Sequence, residues 1–206
     1  MAKNQIFIVI TFFCFANCKS LKSINKVNDT PYPSIKTFDI DKFNQFKDEI
    51  GVANYTYDDG SHIEASKTGD QYSVIRTTTG SPYSAQYAYH LNLTLKTAGQ
   101  LFYRIWYGSS YLYDEQGKLI KQTDEDQRYK FSLDDLVNKL LNKYKIDLMK
   151  PKEGMVVRRY LNNSLLPEYE IRYPSISDPN KIRRLVIDGN NGHIILDTTI
   201  GPPRDS

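Results

Sequence analysis

Apolar and polar residues alternate with a period of two over 52–57, 62–67, 71–79, 83–97 and 101–107, which predicts five strands with one face turned to a core. Between them stand Asp58-Asp59-Gly60, Thr68-Gly69-Asp70, Gly80-Ser81-Pro82 and Ala98-Gly99-Gln100. These clusters predict turns, because Gly reaches positive φ without strain and Asp accepts hydrogen bonds from its own backbone. After residue 130 the period changes. Leu133, Leu136, Val137, Leu140, Leu141 and Tyr144 recur at helical spacing, which predicts a helix over 133–144 with one apolar stripe facing the core. Ser132 and Asp135 form a near capping box at its start, and Asp134 early with Lys139 and Lys143 late suits the helix macrodipole. Alternation returns over 155–161, 169–173, 181–188 and 193–199, adding four strands. A shorter helical signal precedes the first strand: Phe43, Phe46 and Ile50 share a face, Asp39 or Asp41 supplies a cap, and the helix should close near Gly51.

One local pattern occurs three times, over 55–63, 111–120 and 186–195, each a strand, an Asp-to-Gly turn and a returning strand. In the third, Asp188, Asn190 and Asn191 are oxygen donors of the kind calcium takes. The carboxylates are few, no bidentate Glu follows at the EF-hand position, and Gly192 stands where a ligand belongs. A structural turn therefore accounts for these residues. The acidic run 124–126 reads as a solvated turn.

The amino-terminal pattern is of another kind. Lys3 is followed by an apolar run over 6–16, about 16 Å long as a helix, too short for the roughly 20 apolar residues that span a bilayer. It reads as the hydrophobic region of an export signal. Residues 19–36 are polar, contain Pro31 and Pro33 and show no sustained period, so they read as a tether holding the following domain about 20–25 Å from its attachment point.

Composition narrows this picture. Of 206 residues, removal of the first 17 leaves 189 with 26 basic and 24 acidic side chains, a net +2 that is no electrostatic footprint for nucleic acid. All sixteen Tyr lie beyond that segment, among Ile, Val and Thr, as pleated half-buried surfaces favour. The two cysteines, Cys14 and Cys18, both fall at the amino terminus, leaving the domain without a thiol for a disulfide or a metal.

Phe15-Ala16-Asn17-Cys18 resembles the lipobox of bacterial lipoproteins, in the looser form familiar in Bacteroidetes-like bacteria. The resemblance implies a type II signal peptide over 1–17, cleavage before Cys18, and Cys18 as the lipid attachment residue through which the chain contacts the membrane. No acidic residue at position 19 resembles an inner-membrane retention signal, so the outer membrane, facing the periplasm, is the expected destination. An ordinary secretory signal cut after Ala16 or Cys18 is the alternative. Trp106-Tyr107 with Tyr113-Asp114, Gly117 and Leu119 resembles a MORN-type hairpin repeat, apart from the extra residues 108–112. That resemblance implies a scaffold linked to protein or membrane contact rather than catalysis. The carboxy-terminal helix and strands, ending in Ile187-Asp188, Gly192 and Ile194, resemble exported PepSY-like domains.

The expected fold is α+β: an antiparallel β-rich domain with one amphipathic helix packed on the sheet, over 37–206, following signal 1–17 and tether 18–36. It divides into a β-rich half with a short helix over 37–123 and a helix with antiparallel strands over 131–200. No Gly-x-Ser-x-Gly, His-Glu-x-x-His, phosphate loop or dinucleotide fingerprint is present, and His62, His90 and His193 are scattered singly. The chain is therefore expected to have no catalytic residues, no metal and no cofactor. It is expected to act in the cell envelope as a binding or structural module, with a protein partner, the alternatives being an immunity-type protein that neutralises a toxin or a secreted enzyme.

Overall fold

The computed structural model describes residues 37–175, 178 and 181–201. The chain divides into Met1–Pro31, which lies outside the described residues, and a unit Tyr32–Ser206. That unit is a β-rich α+β fold of two antiparallel meanders. A short helix, α1 (Ile40–Phe46), precedes the seven-stranded sheet of β1 (Val52–Thr56), β2 (Ser61–Thr68), β3 (Gln71–Thr78), β4 (Tyr83–His90), β5 (Leu95–Phe102), β6 (Ile105–Tyr113) and β7 (Leu119–Asp124). Helix α2 (Leu133–Lys139) runs into a π-helical turn, Leu140–Tyr144. The four-stranded sheet follows: β8 (Val156–Leu161), β9 (Pro167–Pro174), β10 (Ile182–Asp188) and β11 (Ile194–Ile200).

The turns explain where the alternation pattern fails. Residues 83–97 are not one strand but the hairpin of β4 and β5, reversed at Leu93 with φ 70°. Asn92 closes this turn by accepting from the Thr94 N–H at 3.1 Å. The expected turn at Ala98-Gly99-Gln100 is instead the middle of β5, and the chain reverses at Tyr103, φ 57°, between Phe102 and Ile105. Leu and Tyr rarely adopt positive φ, so neither reversal carries the glycine that marks one. Gly99 answers a different need. A Cβ there would lie 2.2 Å from the Trp106 ring, so the glycine lets the indole lie flat across the strand.

Both helices also depart from their expected stripes. Asp39 caps α1 by accepting from the Lys42 N–H at 3.0 Å, and Phe43 is buried. But α1 stops at Phe46, Lys47 turns extended and bridges back to Ala53, and so Phe46 and Ile50 are 43% and 84% exposed. The stripe needs a second turn that the helix does not make. Ser132 and Asp135 complete a full capping box on α2, whose Leu136, Val137 and Leu140 are buried. Past Leu140 the wider π turn rotates Leu141 to 41% exposure, and Ile146 and Leu148 take the core positions instead.

Two cores result. Phe38 and Phe43 close over Ile63, Val74 and three alanines, Ala53, Ala65 and Ala98, whose small side chains leave room for rings, with Phe38 stacked on Tyr72 at 4.5 Å. Leu136, Val137, Leu140, Ile146 and Leu148 pack on Val157, Tyr169, Ile171, Leu185 and Ile187, and Phe102 and Ile105 of the seven-stranded sheet join this second core. Every member of both cores falls within 38–194, so the unit Tyr32–Ser206 carries all of this packing.

The three recurring hairpins form as their Asp and Gly residues require. Asp114 Oδ1 accepts from the N–H groups of Gln116 and Lys118, and Gly117 takes φ 78°. In the first hairpin Asp59 rather than Asp58 bonds the backbone, through Ser61 N–H at 2.9 Å.

Candidate functional site

A strand buries one face, and what the other face carries is set by alternate residues. On β9, Tyr169, Ile171 and Tyr173 point into the core under α2, so Glu168, Glu170 and Arg172 point to the opposite side. Register places Tyr160 opposite Glu168, Arg158 opposite Glu170, and Arg184 opposite Arg172. Among the described residues no helix or strand packs over this face. Yet Glu168 and Glu170 are buried, 8% and 4% exposed, beneath their longer neighbours.

Two arginines directly opposite each other repel. Glu170 resolves that conflict by accepting from Arg172 Nε at 2.9 Å and from Arg184 Nε at 2.5 Å. Burial works against the Glu170 charge, but these two guanidinium bonds outweigh it and hold the carboxyl below its ordinary value. Glu168 accepts from Asn162 Nδ2 at 2.7 Å. Burial, with a bond to Glu168, raises the Tyr160 hydroxyl. Arg158 is exposed beside the network and has no ion-pair partner among the described residues. Three guanidiniums thus surround two carboxylates, leaving a positive excess on a rigid, hydrogen-bonded surface. Fork geometry lets one guanidinium bind one carboxylate through two N–H donors, as Arg172 binds Glu170 through Nε and Nη2.

Glu170 is held ionised by two arginines, the reverse of the raised affinity for a proton that a general acid at neutral pH needs.

The opposite side of β8 carries a different arginine. Arg159, 6% exposed along its side chain, donates to Asp126 Oδ1 at 2.7 and 2.8 Å, to the Trp106 carbonyl at 3.0 Å and to the Glu125 carbonyl at 2.7 Å. Its guanidinium lies 3.9 Å from the Tyr129 ring centre. Asp126 also accepts from Gly108 N–H at 2.8 Å, and Glu125 accepts from Ser110 Oγ at 2.5 Å. The acidic run 124–126 is therefore a clamp joining the two sheets rather than a solvated turn. The Asp-x-Asp spacing resembled a surface loop because its partner, Arg159, is 33 residues away.

Of the residues singled out in sequence, Cys18 lies outside the described residues. His90 Nε2 is 3.2 Å from the Tyr113 carbonyl, His62 is half-buried on β2, and His193 is exposed in the last hairpin; the fold does not bring them together. Asp188 Oδ1 accepts from Asn190 N–H at 2.7 Å and Oδ2 from Asn191 Nδ2 at 3.0 Å, so this turn spends its oxygens on itself. No group of three or more His, Cys, Asp or Glu side chains among the described residues is placed to hold a metal ion. No helix among them is long and apolar enough to cross a membrane. The Arg/Glu face was missed in sequence because its residues come from three strands; the one local signal was Glu168-x-Glu170-x-Arg172, charges at period two in a strand otherwise apolar.

No family model, no curated protein and no solved structure matches this chain.

Proposed function

We propose that this chain is a lipid-anchored protein of the cell envelope, held to the outer membrane through Cys18 and facing the periplasm, whose folded unit binds a partner rather than catalysing a reaction. The observation that carries the binding half of this reading is the ion-paired face of β8, β9 and β10, where Glu168 and Glu170 are buried with satisfied hydrogen bonds and arginine forks border them. The anchoring half rests on the short apolar run and the Cys18 lipobox. Two or more acyl chains on one residue give durable attachment, where one chain alone gives marginal binding.

Mass spectrometry of the amino-terminal peptide tests the anchor: a diacylglyceryl Cys18 supports it, and an unmodified peptide beginning at Asn17 or Lys19 overturns it. The binding half is tested by affinity capture from detergent-extracted envelope with the natural chain and with Arg158→Glu. A partner held by the former and lost from the latter is expected. Equal capture by both removes this face from the reading.

A further inference from the structure

Each sheet ends in strands with unpaired backbone groups, and folded chains protect such edges with charge, proline or cover. Three of the four edges here are protected. The segment after α1 covers β1, through the Lys47 to Ala53 bridge and the Asp48 N–H bond to the Val52 carbonyl at 2.9 Å. Strand β7 contains Lys121. Strand β8 carries Arg158 and Arg159, the latter tied to the seven-stranded sheet.

Among the described residues strand β11 has none of these devices, the prolines at 202 and 203 lying beyond its end. Its sequence, IILDTTI, holds no Lys, Arg, Pro or Gly, and its one charge, Asp197, is neutralised by Arg183 through bonds of 2.8 and 2.6 Å. Ile195 and Ile200 are 54% and 37% exposed. It is the edge opposite β8, where the other sheet attaches. A bulge at Ile195 disturbs its first residues, but from Leu196 to Ile200 pairing with β10 is regular, so the outer edge of that segment is straight.

We propose that β11 pairs antiparallel with β11 of a second copy of this chain, about a two-fold axis at Thr198. The partner must be an extended strand, because the groups to be satisfied are backbone N–H and C=O. The sequence makes β11 its own complement in this register. Leu196 falls opposite Ile200 of the other copy, Asp197 opposite Thr199, and Thr198 opposite Thr198, so apolar meets apolar, carboxylate meets hydroxyl, and the self-pair is the neutral Thr–Thr combination. A two-fold axis at Asp197 would instead set two carboxylates face to face. Antiparallel partners keep like faces together, so the two four-stranded sheets become one eight-stranded sheet. Both Arg/Glu faces lie on one side of it and both α2 helices on the other.

A single strand pair is a small interface, so association is weak, and mass should rise from one copy towards two between about 10 µM and about 1 mM. Sedimentation of the Tyr32–Ser206 unit over that range measures it. Thr198→Lys and Thr198→Glu should each remain at the mass of one copy, and mixing them in equal amounts should restore the dimer, because each self-pair repels and the mixed pair attracts. Circular dichroism of each variant separates loss of pairing from loss of fold, and Ile200→Lys supplies a second disrupting change should either Thr198 variant unfold. A wild-type unit that stays at one copy throughout overturns the proposal. So does a dimer that survives in folded Thr198→Lys, since it would use another surface.

Discussion

The two sheets solve the same problem with opposite materials. The seven-stranded sheet meets its short helix with alanines at Ala53, Ala65 and Ala98, and rings from Phe38, Phe43, Tyr72 and Tyr89 fill the space. The four-stranded sheet meets α2 and its π turn with branched aliphatics, Val157, Ile171, Leu185 and Ile187 against Leu136, Val137 and Leu140. A seven-residue helix brings few side chains, so each must be large; a longer helical segment presents a stripe that interdigitates. The outward faces differ too. On the large sheet Ser66, Ser73, Thr77, Gln86 and Thr97 share a sparsely charged face with Glu64 and Lys121, whereas the small sheet gathers Arg158, Glu170, Arg172 and Arg184. A sheet's core is dictated by what covers it, and its outward face is left to be chosen for contact.

The largest test of this contrast falls on the aliphatic core. Leu140 is fully buried and Leu141, its neighbour in the π turn, is 41% exposed. Leu140→Ala should cost about 2–5 kcal/mol. Leu141→Ala should cost less than about 0.5 kcal/mol. Denaturant unfolding measures both, and equal losses would mean a straight helix through Tyr144 with both leucines inward. The same experiment asks whether two kinds of core make two folding units. Trp106, the one tryptophan, lies in the seven-stranded sheet, so its fluorescence reports that sheet while Leu140 belongs to the other core. The Arg159 clamp, with Phe102 and Ile105 in the aliphatic core, predicts one transition: Leu140→Ala should lower the Trp106 midpoint as far as the far-ultraviolet one. A Trp106 midpoint that does not move would divide the unit in two.

A smaller effect distinguishes the outward faces. The Glu170 carboxyl is held below its ordinary value, so its contribution to stability is complete above the unfolded value of about 4.3 and fades as pH falls through the lower folded value. Glu170→Gln should therefore lower the melting temperature at pH 7 and narrow its difference from wild type below about pH 4. Thr77→Val, on the sparsely charged face of the other sheet and without a titratable group of its own, should show no such pH dependence. An acid limb unchanged by Glu170→Gln would remove Glu170 as the keystone between Arg172 and Arg184.

What the sequence made legible follows the same physics. Strands 52–56, 61–68 and 71–78 were plain because Gly60, Gly69 and Gly80 separate them and all take positive φ. The β4–β5 and β5–β6 reversals were hidden because Leu93 and Tyr103 fill the equivalent positions, Tyr103 being held there by its hydroxyl bond to the Leu148 carbonyl at 2.9 Å. That bond is tertiary, so no local window contains it. Gly99 misled for the same reason: what it accommodates is Trp106 on the next strand. The capping box of α2 is local and was read; the π turn that ends it turns on how Ile146 and Leu148 pack. The candidate face lay further out of reach, since its pairs are fixed by register between β8, β9 and β10.

The finest comparison lies within one strand. Tyr169 and Tyr173 are both on β9, both face the aliphatic core, and both are buried, at 0% and 4% exposure. They differ in one bond. Tyr169 donates its hydroxyl to the Phe131 carbonyl at 2.8 Å, while the buried Tyr173 hydroxyl has no bond of good geometry among the described residues, burial raising it against only the pull of the Arg183 guanidinium opposite. A buried hydroxyl that makes no bond has lost its water and gained nothing, whereas removing a bonded one strands the acceptor as well. Tyr169→Phe should therefore destabilise by about 1–3 kcal/mol, because the Phe131 carbonyl loses its partner. Tyr173→Phe keeps the ring and its packing, deletes a hydroxyl whose one polar neighbour is poorly placed for a bond, and should change stability by less than about 1 kcal/mol. Thermal unfolding of the two variants side by side measures the difference. A loss on Tyr173→Phe as large as that on Tyr169→Phe would show that the hydroxyl has a partner after all, with the Arg183 guanidinium on neighbouring β10 the first to examine.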